Sequence, residues 1–216
     1  MLGRPRSHTI DGPAGLIEVV VEDPPAPVTP LGLAVIAHPH PLMGGTMDNK
    51  VVHTLVRAFV LAGWRAVRFN FRGVGQTEGV HDEGRGEVDD MLAVLADGRA
   101  DPALKGLPVA LAGFSFGGAV AAEAHHRWLK SDGDSHTPLV LVSPAVTRLH
   151  VPAVPPHTLV IEGEEDDVVP LAAILDWARP QSLPITLVPG TGHFFHGQLA
   201  VVRELVRRHL QGPSPT

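Results

Sequence analysis

The sequence predicts one α/β domain whose mostly parallel sheet is doubly wound, with helices on both faces. Short apolar runs that suit buried strands alternate with longer stretches that suit helices along most of the 216 residues. Turn residues separate these elements, and the 23 glycines and 21 prolines are dispersed among them. A chain of this length can bury a complete core, and no internal repeat divides it. We therefore predict a single domain over residues 1–216.

Each element is predicted from its local pattern. Two β-like runs in residues 7–22 flank the turn at Asp11-Gly12 and predict an antiparallel pair. Apolar runs predict further strands at Leu33–Ala37, Arg65–Phe71, Val109–Ala112, Leu139–Ser143, His157–Gly163 and Ile185–Val188. Amphipathic or alanine-rich stretches predict helices at Asn49–Ala62, Gly86–Asp97, residues 116–130, Leu171–Ala178 and Gln198–Leu210. Asp48 is the predicted N-cap of the first helix, and residues 131–136 are predicted to form a solvated loop.

The composition argues against several classes of protein. A net charge of −6 at pH 7 does not suit a nucleic-acid partner. The absence of cysteine removes disulfides, thiolate metal sites and a cysteine nucleophile. Neither a signal peptide nor a membrane-spanning apolar run is recognisable, so we expect a cytoplasmic protein with no membrane partner. The charge pattern predicts no particular oligomeric state.

The segment with the clearest chemistry is Gly113-Phe-Ser115-Phe-Gly117, which lies between a predicted buried strand and a predicted helix. A G-x-S-x-G pattern in that context is typical of a nucleophile elbow. The turn is too tight for a Cβ two residues before or after the serine, so glycine stands at both positions. The Ser115 hydroxyl is then exposed at the end of the strand, beside the free N–H groups of the helix. The alternative is a structural strand-to-helix turn with a capping serine.

A serine nucleophile needs an imidazole that takes its proton and a carboxylate that orients the imidazole. In open α/β sheets such groups gather in loops at the carboxyl ends of strands. Two later loops fit: Gly163–Pro170, which contains Asp166, and Gly190–His196, which contains His193. The order Ser, Asp, His is that of α/β-hydrolases.

These motifs resemble the α/β-hydrolase superfamily, in particular small bacterial lidless serine hydrolases related to dienelactone hydrolase. Residues 38–45, H-P-H-P-L-M-G-G, resemble the oxyanion loop of that family, and residues 72–77, R-G-V-G-Q-T, resemble its R-G-x-G-x-S turn. The loops around Asp166 and His193 resemble its acid and histidine loops, so the resemblance covers nearly the whole chain. It implies an α/β-hydrolase fold. Dienelactone hydrolases proper use a cysteine nucleophile, which this chain lacks, so their substrate is not implied.

Several site residues have rivals nearby. The resemblance implies that Asp166 is the triad acid, although Asp167 is adjacent and acidic runs are usually solvated. His193 directly follows a glycine-rich turn, which favours it over His196. The pairs His193/His196 and His38/His40 lack the further ligands of a metal centre, so we predict no metal and no other cofactor.

An oxyanion hole is expected to use the backbone N–H of Phe116, directly after the serine, and one N–H from the loop after Ala37. Because Pro39 and Pro41 have no N–H, the second donor is either His40 or Leu42. The sequence leaves that choice open.

The segment Pro144–Pro156 is too short to form a lid, so the site is expected to be open to water. An open site suits small soluble or short-chain esters. The predicted function is therefore a carboxylesterase-type serine hydrolase with an acyl-enzyme intermediate. A thioesterase or small acyl-amide hydrolase is one alternative, and a non-catalytic α/β-hydrolase scaffold that only binds a ligand is another.

Overall fold

A computed structural model describes residues 4–131, 134 and 136–211. The strands are β1 Arg6–Gly12, β2 Gly15–Glu22, β3 Leu33–Ala37, β4 Arg65–Phe69, β5 Val109–Phe114, β6 Leu139–Val142, β7 Leu159–Gly163 and β8 Thr186–Val188. The helices are α1 Lys50–Leu61, α2 Arg85–Ala100, α3 Phe116–Ser131, α4 Leu171–Ala178 and α5 Leu199–Gln211. The predicted loop at 131–136 includes residues 132, 133 and 135, which lie outside the described residues.

All the strands form one eight-stranded sheet in the order β1-β2-β4-β3-β5-β6-β7-β8. The pairs β1–β2 and β2–β4 are antiparallel, and every other neighbouring pair is parallel. The sheet therefore winds outward in both directions from its centre at β3 and β5. This confirms the predicted α/β class and the predicted antiparallel pair at the N-terminus. Loops that follow the central parallel strands meet at one edge of the sheet.

Helices cover both faces of the sheet. The side chains of α1 and α5 pack on one face, and those of α2, α3 and α4 pack on the other. The central strands are buried from both sides, and all five residues of β3 are at most 1% exposed. That double burial explains why these strands are continuous apolar runs in the sequence rather than alternating ones.

The start of α1 differs from the prediction. Asn49 is the N-cap, and its side-chain oxygen accepts a hydrogen bond from the N–H of Val51 at 2.8 Å. The predicted cap, Asp48, is wrong: its carboxylate instead lies 3.7 Å from the guanidinium of Arg68 on β4. Both residue types can cap a helix, so residue type alone does not choose between these two neighbours.

The end of β4 also differs. The strand was predicted to continue to Phe71 but ends at Phe69. The N–H of Phe71 donates to Nε2 of His38 at 3.0 Å instead of to a neighbouring strand. Within the described ranges, no helix is both long enough and apolar enough to cross a membrane.

Candidate active site

Ser115 lies between β5 and α3 in a strained turn. It has a φ of +56°, a left-handed conformation that side chains other than glycine rarely adopt. A Cβ on Gly113 would lie 2.0 Å from the carbonyl oxygen of Gly117, and a Cβ on Gly117 would lie 2.4 Å from that of His38. The tight turn predicted to require glycine is confirmed at Gly113, whereas Gly117 is required by the close approach of the chain after β3. The N–H of Ser115 donates to the carbonyl of Val142 at 2.9 Å, which holds the turn against β6.

The residues predicted as a triad come together at the carboxyl edge of the sheet. Nδ1 of His193 donates to Oδ2 of Asp166 at 2.7 Å, and the hydroxyl of Ser115 donates to Nε2 of His193 at 3.0 Å. Because a carboxylate can only accept a hydrogen bond, the ring proton of neutral His193 lies on Nδ1. Nε2 is then the unprotonated nitrogen that a general base needs. All three residues are at most 7% exposed. This chain of hydrogen bonds can move a proton from the serine to the imidazole.

Burial distinguishes Asp166 from the other acidic residues in the loop after β7. Asp166 is 6% exposed, whereas Glu164, Glu165 and Asp167 are exposed. The N–H groups of Val168 and Val169 donate to Oδ1 of Asp166 at 2.9 and 2.7 Å, which leaves Oδ2 for His193. Burial opposes ionisation of this carboxyl, but the hydrogen bonds from His193 and the backbone outweigh it and lower its pKa. Asp166 is therefore ionised at neutral pH.

The acid loop and the histidine loop are fixed to each other. The N–H of Glu165 donates to the carbonyl of Thr191 at 2.9 Å. A Cβ on Gly163 would lie 2.3 Å from that same carbonyl oxygen, so glycine is required where the two loops approach. His193 lies two residues beyond this contact. His196 is exposed and contacts Phe194 with a ring separation of 6.0 Å, away from the serine.

His38 is a buried histidine with backbone partners. Nδ1 donates to the carbonyl of Pro39 at 2.6 Å, and Nε2 accepts from the N–H of Phe71. Burial lowers the pKa of His38 to about 4, against the opposing effect of the Pro39 hydrogen bond. The ring is therefore neutral and fixes the loop after β3 to the loop after β4. No cluster of metal-ligating side chains occurs within the described residues.

The two predicted oxyanion donors differ in their hydrogen bonds. The N–H of Leu42 donates to Nδ1 of His40 at 3.2 Å, and the Leu42 side chain is 71% exposed. Burial, followed by the nearby His81 and Arg148, lowers the pKa of His40, so its ring is available as this acceptor. Among the described residues, neither the N–H of His40 nor that of Phe116 has a protein acceptor. These two N–H groups are free to bind a ligand oxygen.

A cavity of about 330 Å³ opens above the serine. His40, Ser115, Phe116 and His193 line it, whereas Leu42 does not. One wall is apolar and is formed by Met43, Ala145, Val168, Val169 and Phe194. Arg148 is the only permanently charged side chain among the described residues that line it. Residues 144–156 contain no helix or strand, so the cavity has no lid from this segment, as predicted.

The R-G-V-G-Q-T turn supports the site from outside. The hydroxyl of Thr77 donates to the carbonyl of Asn70 at 2.8 Å and accepts from the N–H of Glu18 at 3.0 Å. Arg72 forms an ion pair with the buried Asp90 at 2.7 Å. These contacts fix the loop that holds Phe71 against His38.

One buried carboxyl was missed by the sequence reasoning. Glu162, the penultimate residue of β7, is 0% exposed, and Oε1 accepts a hydrogen bond from the hydroxyl of Ser143 at 3.1 Å. Its carboxyl also contacts that of Asp166. A glutamate inside an apolar strand, one residue before the glycine of the acid loop, was the available sequence signal.

The geometry agrees with comparisons to known proteins. The family model described as "Serine aminopeptidase, S33" matches residues 40–182, which include Ser115 and Asp166. The uncharacterized protein RP471 of Rickettsia prowazekii (strain Madrid E) is 30% identical over 202 residues, which cover 86% of this chain and 80% of that protein.

Solved structures agree as well. XC6422 of Xanthomonas campestris, described as an α/β serine hydrolase without a lid, has a TM-score of 0.86 and 34% identity, and the match covers 99% of this chain and 97% of that one. An α/β serine hydrolase homologue of Coxiella burnetii has a TM-score of 0.81 and 36% identity, over 95% of this chain and 97% of its own. This chain therefore belongs to the serine aminopeptidase S33 family, within the α/β-hydrolase superfamily.

Proposed function

We propose that this protein is a carboxylesterase-type serine hydrolase that cleaves small or short-chain esters through an acyl-enzyme. The observation that carries the proposal is the hydrogen-bond chain from Asp166 through His193 to Ser115, at the floor of a cavity that has no lid. A scaffold that only binds a ligand has no need for a strained serine in contact with an oriented imidazole.

The proposed reaction has two halves. Ser115 Oγ attacks the ester carbonyl carbon while Nε2 of His193 takes its proton, and the imidazolium then donates that proton to the departing alkoxide. Water next attacks the acyl-enzyme, His193 takes its proton, and the proton returns to Ser115 Oγ as the acid leaves. Asp166 remains ionised throughout and stabilises the imidazolium that forms in each half.

The negative charge that develops on the carbonyl oxygen needs preorganised donors. We assign this role to the N–H groups of Phe116 and His40, because both line the cavity and neither has another acceptor in the described chain. The N–H of Leu42 is already bonded to the His40 ring, which disfavours it.

The size and polarity of the cavity support a small substrate. Its volume of about 330 Å³ is at the lower end of the range for ligand pockets. Its apolar wall offers a surface for a short acyl or aryl group. Since part of that wall is exposed, with Met43 at 74% and Phe194 at 46%, it offers little burial to a long chain.

The test is hydrolysis of p-nitrophenyl esters from acetate to laurate by the wild type and by Ser115→Ala. We expect activity to peak at short chains and to disappear in the variant. Matched thioesters and anilides measured alongside decide between the three acyl-transfer activities, and faster thioester cleavage would replace the ester assignment. A folded protein that cleaves none of these substrates would contradict the proposed function.

A further inference from the structure

A second carboxyl group lies directly behind the triad acid. Glu162 is on β7, and Asp166 follows four residues later in the loop after that strand. Oε1 accepts from the hydroxyl of Ser143 at 3.1 Å and from the N–H of Gly163 at 3.2 Å. Oε2 is buried, and no N–H or hydroxyl donor reaches it within the described residues. The carboxyls of Glu162 and Asp166 also interact, and a hydrogen bond between them contributes to the pKa of each.

Two carboxyl groups can form a hydrogen bond only if one of them holds a proton. Two ionised carboxylates in contact repel each other, and burial without a donor makes a second charge more costly. Asp166 has the donors that stabilise a charge, namely His193 and the N–H groups of Val168 and Val169. Glu162 is 0% exposed and has no charged donor. The proton therefore belongs on Glu162.

The electrostatics agree with this geometry. Burial, and then the hydrogen bond and negative charge of Asp166, raise the pKa of Glu162 to about 9. The same hydrogen bond helps to lower the pKa of Asp166. Asp166 is the charged group that faces Glu162. The neighbouring strand β6 is followed by the neutral hydroxyl of Ser143, and the register places Leu187 of β8 opposite Glu162.

We propose that Glu162 is a positioning residue that stays protonated and donates a hydrogen bond to Asp166. The hydrogen-bond chain is then Glu162–Asp166–His193–Ser115. This inference rests on the proposed function, because its effect is exerted through His193. The donated hydrogen bond fixes the Asp166 carboxylate and limits its basicity toward His193. If Glu162 loses its proton, a second negative charge forms beside Asp166 and the two carboxylates repel each other.

Two variants separate the proton from the shape of the side chain. Glu162→Gln keeps a donor for Asp166 and an acceptor for Ser143 but cannot ionise. Glu162→Leu keeps the approximate volume and removes both. Asp167→Asn is the control, since it removes a carboxyl charge one residue from Asp166, on an exposed side chain outside the hydrogen-bond chain.

The first readout is kcat/KM for p-nitrophenyl acetate from about pH 5 to about pH 10, corrected for spontaneous hydrolysis. We expect wild-type activity to fall above pH 9, where Glu162 ionises, and Glu162→Gln to show no such fall. Glu162→Leu should lose about tenfold in kcat/KM, within the coupling that contacting residues of one network show. The acid limb of its kcat/KM profile should move to higher pH, because Asp166 loses a hydrogen-bond donor and becomes more basic toward His193. Asp167→Asn should keep both limbs of the wild-type profile.

The second readout needs no substrate. Folded Glu162 keeps its proton while the unfolded chain releases it near pH 4.5, so this residue lowers the free energy of unfolding as the pH rises from 4.5 to about 9. The melting temperature of Glu162→Gln minus that of the wild type should therefore increase as the pH rises across this range. A difference in melting temperature that does not change with pH would contradict the assignment of a proton to Glu162.

The two readouts separate the possible failures. If the melting difference follows the prediction but Glu162→Gln keeps the alkaline limb of the wild type, the positioning role is overturned and Glu162 is only a buried neutral acid. If the melting difference follows the prediction and no ester is cleaved, the proposed function fails while the proton on Glu162 is supported. Both shifts together support the extended chain.

Discussion

Two loops at the carboxyl edge of the sheet each bury a histidine, and the partners of the two rings differ. His38, after β3, donates to the Pro39 carbonyl and accepts from the N–H of Phe71. His193, after β8, donates to the Asp166 carboxylate and accepts from the Ser115 hydroxyl. The two rings are 0% and 4% exposed, so burial alone does not distinguish them.

The partners explain what each ring can do. A proton on Nε2 of His38 would break its bond to a backbone N–H and place a charge in an apolar environment with no carboxylate. A proton on Nε2 of His193 comes from the serine, and Asp166 stabilises the resulting charge. The loop after β3 therefore braces the site, whereas the loop after β8 can perform chemistry. The predictions below probe this difference from the largest expected effect to the smallest.

Removing each imidazole should give opposite results. We expect His193→Ala to lower kcat for p-nitrophenyl acetate by at least about 10³-fold, because the general base is lost. We expect His38→Ala to lower the melting temperature markedly, because it opens a cavity and leaves the N–H of Phe71 unpaired, at a cost of about 1–3 kcal/mol. Kinetics and thermal melting of both variants are the measurement. Equal losses of activity in two folded variants would remove the distinction.

The acid loop offers a matched pair of neighbours. Asp166→Asn should lower kcat by about 10⁴-fold, since an amide cannot hold His193 in the required tautomer. Asp167→Asn should leave kcat within about twofold, because Asp167 is exposed and lies outside the hydrogen-bond chain. Steady-state kinetics on one ester decide the matter, and the reverse ranking would reassign the triad acid.

The loop after β3 is also proposed to supply an oxyanion donor, the backbone N–H of His40. Removing that N–H alone tests the proposal. His40 has a φ of −51°, close to the value that proline requires, so His40→Pro removes the N–H with little backbone strain. His40→Ala removes the same side chain but keeps the N–H. We expect kcat of the proline variant to be about 10²-fold below that of the alanine variant. Similar values for the two would transfer the role away from His40.

The pH dependence of stability should reveal His38. Its pKa is lowered from 6.5 to about 4 in the folded protein, so the unfolded chain takes up a proton first as the pH falls. Stability from this residue is complete above pH 6.5 and is lost as the pH falls toward 4, by about 3 kcal/mol at about 1.4 kcal/mol per pH unit. Denaturant unfolding of the wild type and of His38→Gln at several pH values gives this contribution as a difference. Parallel pH profiles would contradict it.

The backbone of this molecule is largely predictable from its sequence. The span of β3 was predicted without error, because a strand buried on both faces is a continuous apolar run. Errors arose where a distant group decides. Asp48 and Asn49 are both good caps, and the contact between Asp48 and Arg68 of β4 is not visible in the local sequence.

In the site, too, the sequence does not predict contacts between residues that are distant along the chain. Glycine spacing and chain order indicated the Ser115 turn and its partner loops, because the strand–turn–helix pattern around Ser115 is local. The choice between His40 and Leu42 depends on a ring that folds back onto the Leu42 N–H. Glu162 was missed because a single glutamate in a strand gains its meaning only from Asp166 and Ser143, which the fold brings beside it.

Covalent labelling probes the difference between the two histidines at the nucleophile itself. The wild type, Ser115→Ala, His193→Ala and His38→Ala are treated with a fluorophosphonate, and the modified residue is located by peptide mass spectrometry. We predict rapid modification of Ser115 in the wild type and in folded His38→Ala, and almost none in the other two variants. Equal labelling of His193→Ala, or a label on any other residue, would contradict the assignment of Ser115 and His193 as nucleophile and base.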